Sequence, residues 1–206
     1  PAATQVTAVS ELNRHPFSAG PYAFMHNADI GGFGRIRRAM LSRLSDESFE
    51  IIQGLTDSEH YFALVMDALR HCRLAEGGAT AEDLGAALER ALGAALALVR
   101  EAASGEHTYL NCAMSDGRVA AALRFTTHEP RYAESLYMHR GRRYVCEDGV
   151  CRMLEPEEGG GAVIVASEPL SEDPGWEPIA ANHAVLIDSG RTVTVRPFGA
   201  EAMAGA

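Results

Sequence analysis

Tyr22-Ala23-Phe24-Met25-His26-Asn27, followed by Ala28-Asp29-Ile30-Gly31-Gly32-Phe33, decides how this chain folds. Tyr22 to Met25 reads as a short buried strand, and His26-Asn27 closes it. Past the glycines, Ile30, Phe33, Ile36, Ala39, Met40 and Leu44 recur at helical spacing, with Arg35, Arg37, Arg38 and Arg43 on the other sides. That is an amphipathic helix. Upstream, residues 1–20 are rich in turn formers and run from a strand end through a loop.

A second helix starts at Thr56, an N-cap with Glu59 at capping-box spacing, and proceeds through Phe62, Val65, Met66 and Leu69, so that Asp57 stands at its N-terminus. A third opens at Thr80 with Asp83 at the same spacing and runs through Leu84, Leu88, Leu92 and Val99. From His107 the period changes to that of strands, expected at 108–114, 119–125, 135–138, 143–146, 162–166, 184–187 and 192–195. Turn residues separate them at Ser115-Asp116-Gly117, Arg140-Gly141, Asp148-Gly149 and Asp188-Ser189-Gly190. Helices followed by an antiparallel meander make a layered α+β domain, and nothing divides residues 1–206 in two.

Composition narrows the partners. The chain is 47% hydrophobic and 22% charged, enough to bury a sizeable core in 206 residues. A net charge of -10 repels polyanions, so nucleic acid is not expected. The longest apolar stretch, 86–99, is interrupted by Glu89, Arg90 and Gly93, and no membrane span is expected. Four cysteines are too sparse for a disulfide scaffold, which favours a cytoplasmic setting. Cys146 and Cys151 could meet across a hairpin as a disulfide or half of a metal site. No second Cys or His pair at ligand spacing accompanies them, and no metal is expected.

The candidate chemistry lies near Asn27 and Asp57. The Asn27 amide and the Ala28 backbone N–H, at a strand end, could converge as the two donors of an oxyanion hole. Asn27 is equally at home as a turn residue, and Asp57 as a first-turn carboxylate favoured by the helix dipole. A carboxylate so placed could also hold an α-ammonium group.

His15-Pro16-Phe17, Phe24-Met25-His26-Asn27 and Gly54-Leu55-Thr56-Asp57-Ser58-Glu59, in this order, resemble the class II glutamine amidotransferases of the N-terminal-nucleophile hydrolase fold. The likeness extends to 165–170, Trp176 and Asn182-His183. Asn13-x-His15-Pro16-Phe17, 36–40, 56–60 and 146–151 are most similar to the fungal glutathione-degrading amidotransferase-like subunit.

The resemblance implies a layered αββα fold and a reaction in which an N-terminal Cys attacks the γ-carboxamide of glutamine, or a γ-glutamyl bond. The Cys α-amino group, with a pKa near ~8, is the base, and a thioester is then hydrolysed. It implies Asn27 and the Ala28 N–H as the oxyanion hole, Asp57 as the α-amino site, and His15, Thr4, Thr56 and His26 as residues of the substrate pocket. No cofactor is implied. The family usually has Gly where this chain has Ala28, whose methyl is expected to crowd the hole. The nucleophilic Cys and the Arg for the α-carboxylate are expected upstream of Pro1, so the 206 residues are expected to lack their N-terminal strands, to be inactive alone, and to aggregate. Three readings follow: a glutamine-type hydrolase acting on a small-molecule substrate, a γ-glutamyl peptide hydrolase working with a partner subunit or as a homodimer, and a non-catalytic amino-acid-binding protein.

Overall fold

The computed structural model describes residues 15–72, 78–147, 150–154 and 161–198. Strands β1 (Phe17–Ala19) and β2 (Tyr22–Asp29) form a hairpin turning at Gly20. Four helices follow: α1 (Phe33–Leu41), α2 (Asp46–Phe49), α3 (Asp57–Arg70) and α4 (Ala81–Ala102). Then come β3 (Tyr109–Ser115), β4 (Ala120–Thr126), β5 (Tyr137–Glu147), β6 (Val150–Leu154), β7 (Ala162–Ala166), β8 (Glu177–Pro178), β9 (His183–Ile187) and β10 (Val193–Pro197).

One antiparallel sheet has the order β1-β2-β3-β4-β9-β10, and a second has β6-β5-β7 with β8 also on β5. Period-two alternation sorts the first sheet's side chains. Phe24, Met114, Ala121 and Leu186 share one cross-strand row and pack with the apolar stripes of α1, α3 and α4. On the opposite face Ala122 and Val185 meet Leu136, Met138 and Ile179, a smaller core between the two sheets. The result is the expected layered α+β fold of helices, sheet and sheet. Among the described residues no helix covers the outer face of the second sheet. There the buried ring of His139 bonds Asp173 at 3.0 Å and meets the Trp176 ring edge-on.

Several boundaries differ from the sequence expectation. β2 continues through Asn27 and Ala28 to Asp29, because β3 pairs with it along its whole polar end. The expected strands at 135–138 and 143–146 merge into one, β5, which begins only at Tyr137. The supposed turn at Arg140-Gly141 is a register shift within it, with Gly141 at φ 82 absorbing the extra residue. The first helix stops at Leu41, and 46–49 form a separate turn capped by Ser45. The α4 capping box is present, Thr80 and Asp83 bonding each other's backbone N–H. At α3 only half of it forms: Thr56 accepts from Glu59 N, but the Glu59 carboxylate turns away to the N–H groups of Gln53 (2.7 Å) and Gly54 (2.6 Å). Cys146 stands opposite Cys151 in the β5–β6 ladder, and Cys146 is disulfide-bonded, the first of the two roles left open for the pair. Cys72 and Cys112 are free. Thr4 and the turn at 148–149 lie outside the described residues.

Candidate functional site

The site grows from the alternation of β2. Phe24, His26 and Ala28 face the helices, while Met25, Asn27 and Asp29 face the side of the second sheet. Ala28 packs its methyl against the helix-side core, so the group that was expected to crowd the oxyanion position points away from the Asn27 side chain. Its φ is not positive, and the strand conformation makes no demand for Gly here. Asn27 is exposed, and among the described residues its amide has no hydrogen bond.

In a strand, the N–H groups of residues two apart point to the same edge. The His26 N–H donates to His15 Nδ1 at 3.3 Å, on the β1 side. The Ala28 N–H points the same way, past the end of β1. Just beyond, the Ile30 N–H donates to Asp57 Oδ2 at 3.0 Å. A rise of about 3.3 Å per residue puts His15 and Asp57 roughly 6 to 7 Å to either side of the Ala28 N–H. The structure thus brings His15, His26, Ala28 and Asp57 to one edge of β2, with the Asn27 amide at its corner.

Each of these groups has an electrostatic setting fixed by burial. Asp57 is 6% exposed. Burial raises its carboxyl pKa, the Ile30 and Ser58 N–H groups oppose the rise, and Asp29 adds to it. No cation among the described residues pairs with it. Burial, reinforced by His15, lowers the His26 pKa to about 3, so its imidazole is neutral at ordinary pH. His26 forms a three-ring cluster with Phe24 and Tyr61, at 5.9 and 5.8 Å from them. Its Nδ1 contacts Ser58 Oγ, while its buried Nε2 has no partner among the described residues. His26 therefore faces the helices, away from Asn27.

Thr56 is occupied in starting α3: its hydroxyl takes the Glu59 N–H, and its carbonyl takes the His60 N–H and His60 Nδ1 (2.7 Å). Arg37 Nε donates to His60 Nε2 at 3.1 Å, which leaves the proton on Nδ1. Burial, assisted by Arg37 and opposed by Thr56, lowers the His60 pKa. Glu59 and His60 hold the segment that presents Asp57, and sequence reading gave neither this task.

Two further residues were missed. Asn111 stands directly opposite Asn27, is itself opposite Arg124, and donates to Ser135 O at 2.8 Å. Arg124 donates to the carbonyls of Glu134 (2.7 Å), Ala133 (3.1 Å) and Ile179. Together they fasten segment 133–135 over the face that carries Asn27. The available signal was an Asn and an Arg inside otherwise apolar strands. Cys112, opposite His26 on the helix-facing side, is buried, and burial pushes its thiol pKa up. It is not a nucleophile poised at Asn27. Among the described residues no three His, Cys, Asp or Glu side chains gather as metal ligands, and no helix is long and apolar enough to cross a membrane.

No family model matches the sequence. The chain is 30% identical over 200 residues to the "probable glutamine amidotransferase DUG3" of Saccharomyces cerevisiae, covering 92% of this chain and 56% of the yeast protein. It thus spans little more than half the length of that curated relative. In structure it is similar to a glutamine aminotransferase class-II domain protein from Silicibacter pomeroyi, with 29% identity, a TM-score of 0.69, and coverage of 92% of this chain and 73% of that one. A "predicted glutamine amidotransferase" from Pseudomonas aeruginosa shares the fold at 19% identity and a TM-score of 0.59, covering 90% of this chain and 66% of its own. In sequence and fold together the chain is similar to class II glutamine amidotransferase-like proteins, the yeast relative and the Silicibacter pomeroyi structure each matching 92% of its length.

Proposed function

We propose that the protein to which these residues belong hydrolyses the γ-amide of glutamine or a γ-glutamyl bond by Cys-dependent acyl transfer. The observation that carries this reading is the β2 edge, where His15 and Asp57 occupy the neighbouring N–H groups and, among the described residues, none takes the Ala28 N–H beside Asn27, which suits a ligand oxygen. In this reading Asp57 binds the α-ammonium of the γ-glutamyl group, and His15 and Thr4 line the pocket. A thiolate attacks the γ-carbonyl carbon, and the oxyanion that forms is held by Asn27 Nδ2 and the Ala28 N–H. The C–N bond then breaks, the protonated amine departs, and water cleaves the thioester to release glutamate and the thiol. The nucleophile and the α-carboxylate-binding arginine belong to other residues of the protein, residues 1–206 form one domain, and the domain alone is inactive.

The exposed side chains of Met25 (57%) and Leu55 (56%) favour a second reading, hydrolysis of γ-glutamyl peptides together with a partner subunit. These apolar groups flank Asn27 and Asp57 and suit either a bulkier leaving group or a covering surface. A cytoplasmic setting belongs to both readings. Glutamate release by the full-length protein, measured with glutamine and with a γ-glutamyl dipeptide, with and without candidate partners, separates them. Inertness toward both substrates in every combination would overturn both.

A further inference from the structure

Ser58 is the second residue of α3, and nothing in the reading above gives it a task. Its backbone N–H donates to Asp57 Oδ1 at 2.8 Å, and its hydroxyl lies 3.5 Å from the same oxygen. The hydroxyl also contacts His26 Nδ1, across 32 residues of sequence. We propose that His26 and Ser58 form a positioning relay behind Asp57, in which His26 Nδ1–H donates to Ser58 Oγ and the Ser58 hydroxyl donates to Asp57 Oδ1. This deepens the reading of Asp57 as the ammonium site and rests on it.

The geometry leaves the relay little freedom. The His26 ring packs against both Phe24 and Tyr61 in a three-ring cluster, and its backbone N–H is tied to His15 Nδ1. With Nε2 unpartnered among the described residues, the contact to Ser58 is the ring's polar anchor. Two proton arrangements fit that contact. In one, the Ser58 hydroxyl donates to Nδ1, which strands a buried Nε2–H and leaves Asp57 without the hydroxyl. In the other, Nδ1–H donates to Ser58, whose proton turns to the carboxylate. The second puts the donor against the charge, and hydrogen bonds to ionised acceptors are roughly twice as strong as neutral ones. With one face of the carboxylate held by Ile30 N, Ser58 N and Ser58 Oγ, its remaining lone pairs are directed to the ligand side.

The charged and titratable groups around Asp57 leave this task to the relay. Asp29 acts on it electrostatically from β2, His26 reaches it through Ser58, and His15 lies farther off, before β1. Glu59 and His60 share its helix, and Arg37 on α1 is bonded to His60. Arg37 is engaged by His60 and Glu59 by Gln53 and Gly54, while Asp29 opposes ionisation. Removing the Ser58 hydroxyl takes a donor from the ionised form, so Asp57 protonates at higher pH. Ammonium binding requires the carboxylate, and the acid limb of kcat/KM follows it upward.

The test uses the full-length protein with 15N-labelled histidine. NMR is expected to show neutral His26 as the Nδ1–H tautomer, with that signal perturbed in Ser58→Ala. With a γ-glutamyl substrate, Ser58→Ala should raise KM about tenfold with a smaller change in kcat, and move the acid limb to higher pH. Ser58→Thr should restore both. An Nε2–H tautomer in the wild type, or a Ser58→Ala profile that coincides with the wild type, overturns the relay. If the full-length protein turns over no γ-glutamyl substrate, the hydrolase reading fails and the tautomer alone decides the relay.

Discussion

His15 and Asp57 hold the backbone N–H groups on either side of Ala28, at 3.3 Å from His26 N and 3.0 Å from Ile30 N. One is an imidazole nitrogen ahead of β1 and the other a carboxylate opening α3, so two distant segments define one interval on a strand edge. Among the described residues the Ala28 N–H between them has no partner.

Asn27→Ala in the full-length protein is expected to lower kcat by about 100-fold or more, with KM little changed, because an oxyanion donor acts in the transition state. The Asn27 side chain is exposed and without hydrogen bonds among the described residues, so the melting temperature should stay within a degree or so. Glutamate release and a thermal melt check both, and a loss below about threefold would remove Asn27 from the oxyanion role.

Asp57 carries a pH signature in stability as well as in binding. Its folded pKa is raised, so its contribution is fully present below the unfolded value of about 3.9 and declines as pH rises through the folded value. The melting-temperature difference, wild type minus Asp57→Asn, should therefore be larger in acid than at neutral pH. The same substitution should raise KM for a γ-glutamyl substrate.

His26 behaves in the opposite sense. Its folded pKa is depressed to about 3, so its contribution is present above the unfolded value near 6.5 and is lost as pH falls between the two. Across that window the cost is on the order of 1.4 kcal/mol per pH unit. His26→Phe, flanked by Phe24 and Tyr61, should flatten the acid decline of wild-type stability in melts at stepped pH. A variant as acid-labile as the wild type would contradict this account.

Gly32 joins β2 to α1 at φ 63, and a Cβ there would lie 2.3 Å from the Ala103 Cβ. Gly32→Ala should destabilise by roughly 2 to 4 kcal/mol through backbone strain and overlap together. Denaturant unfolding of the full-length protein measures it, and a change under about 0.5 kcal/mol would mean that the turn relaxes freely.

Cys112→Ala should keep most of the activity of the full-length protein. Its thiol is buried on the helix side of β3 and held protonated, so the substitution costs packing. Abolished turnover with an unchanged melt would reverse that assignment.

The layered fold was legible because its elements are locally well marked: α3 and α4 carry apolar stripes with Thr caps, and β3 and β4 are short, largely apolar runs bounded by turn residues. The strand end that bears the site was not. His26, Asn27 and Asp29 break the apolar pattern of β2, and only pairing with β3 holds them extended. β5 was divided at Gly141 because a bulge and a turn use the same residue for the same positive φ. Asn27, Ala28 and Asp57 could be picked out by resemblance, but their arrangement could not, since it depends on the edge toward which a strand directs its N–H groups. Glu59 sat at capping-box spacing, yet the nearer donors at Gln53 and Gly54 claimed its carboxylate.

Arg124 spends its guanidinium on the carbonyls of Ala133, Glu134 and Ile179, all of them neutral. This seam between the two sheets therefore owes nothing to a counter-charge, and added salt has no ion pair there to screen. What it requires is a planar fork of donors. Lysine, with the same charge gathered at one point, could not reach three carbonyls spread around a plane, so at position 124 shape outranks charge.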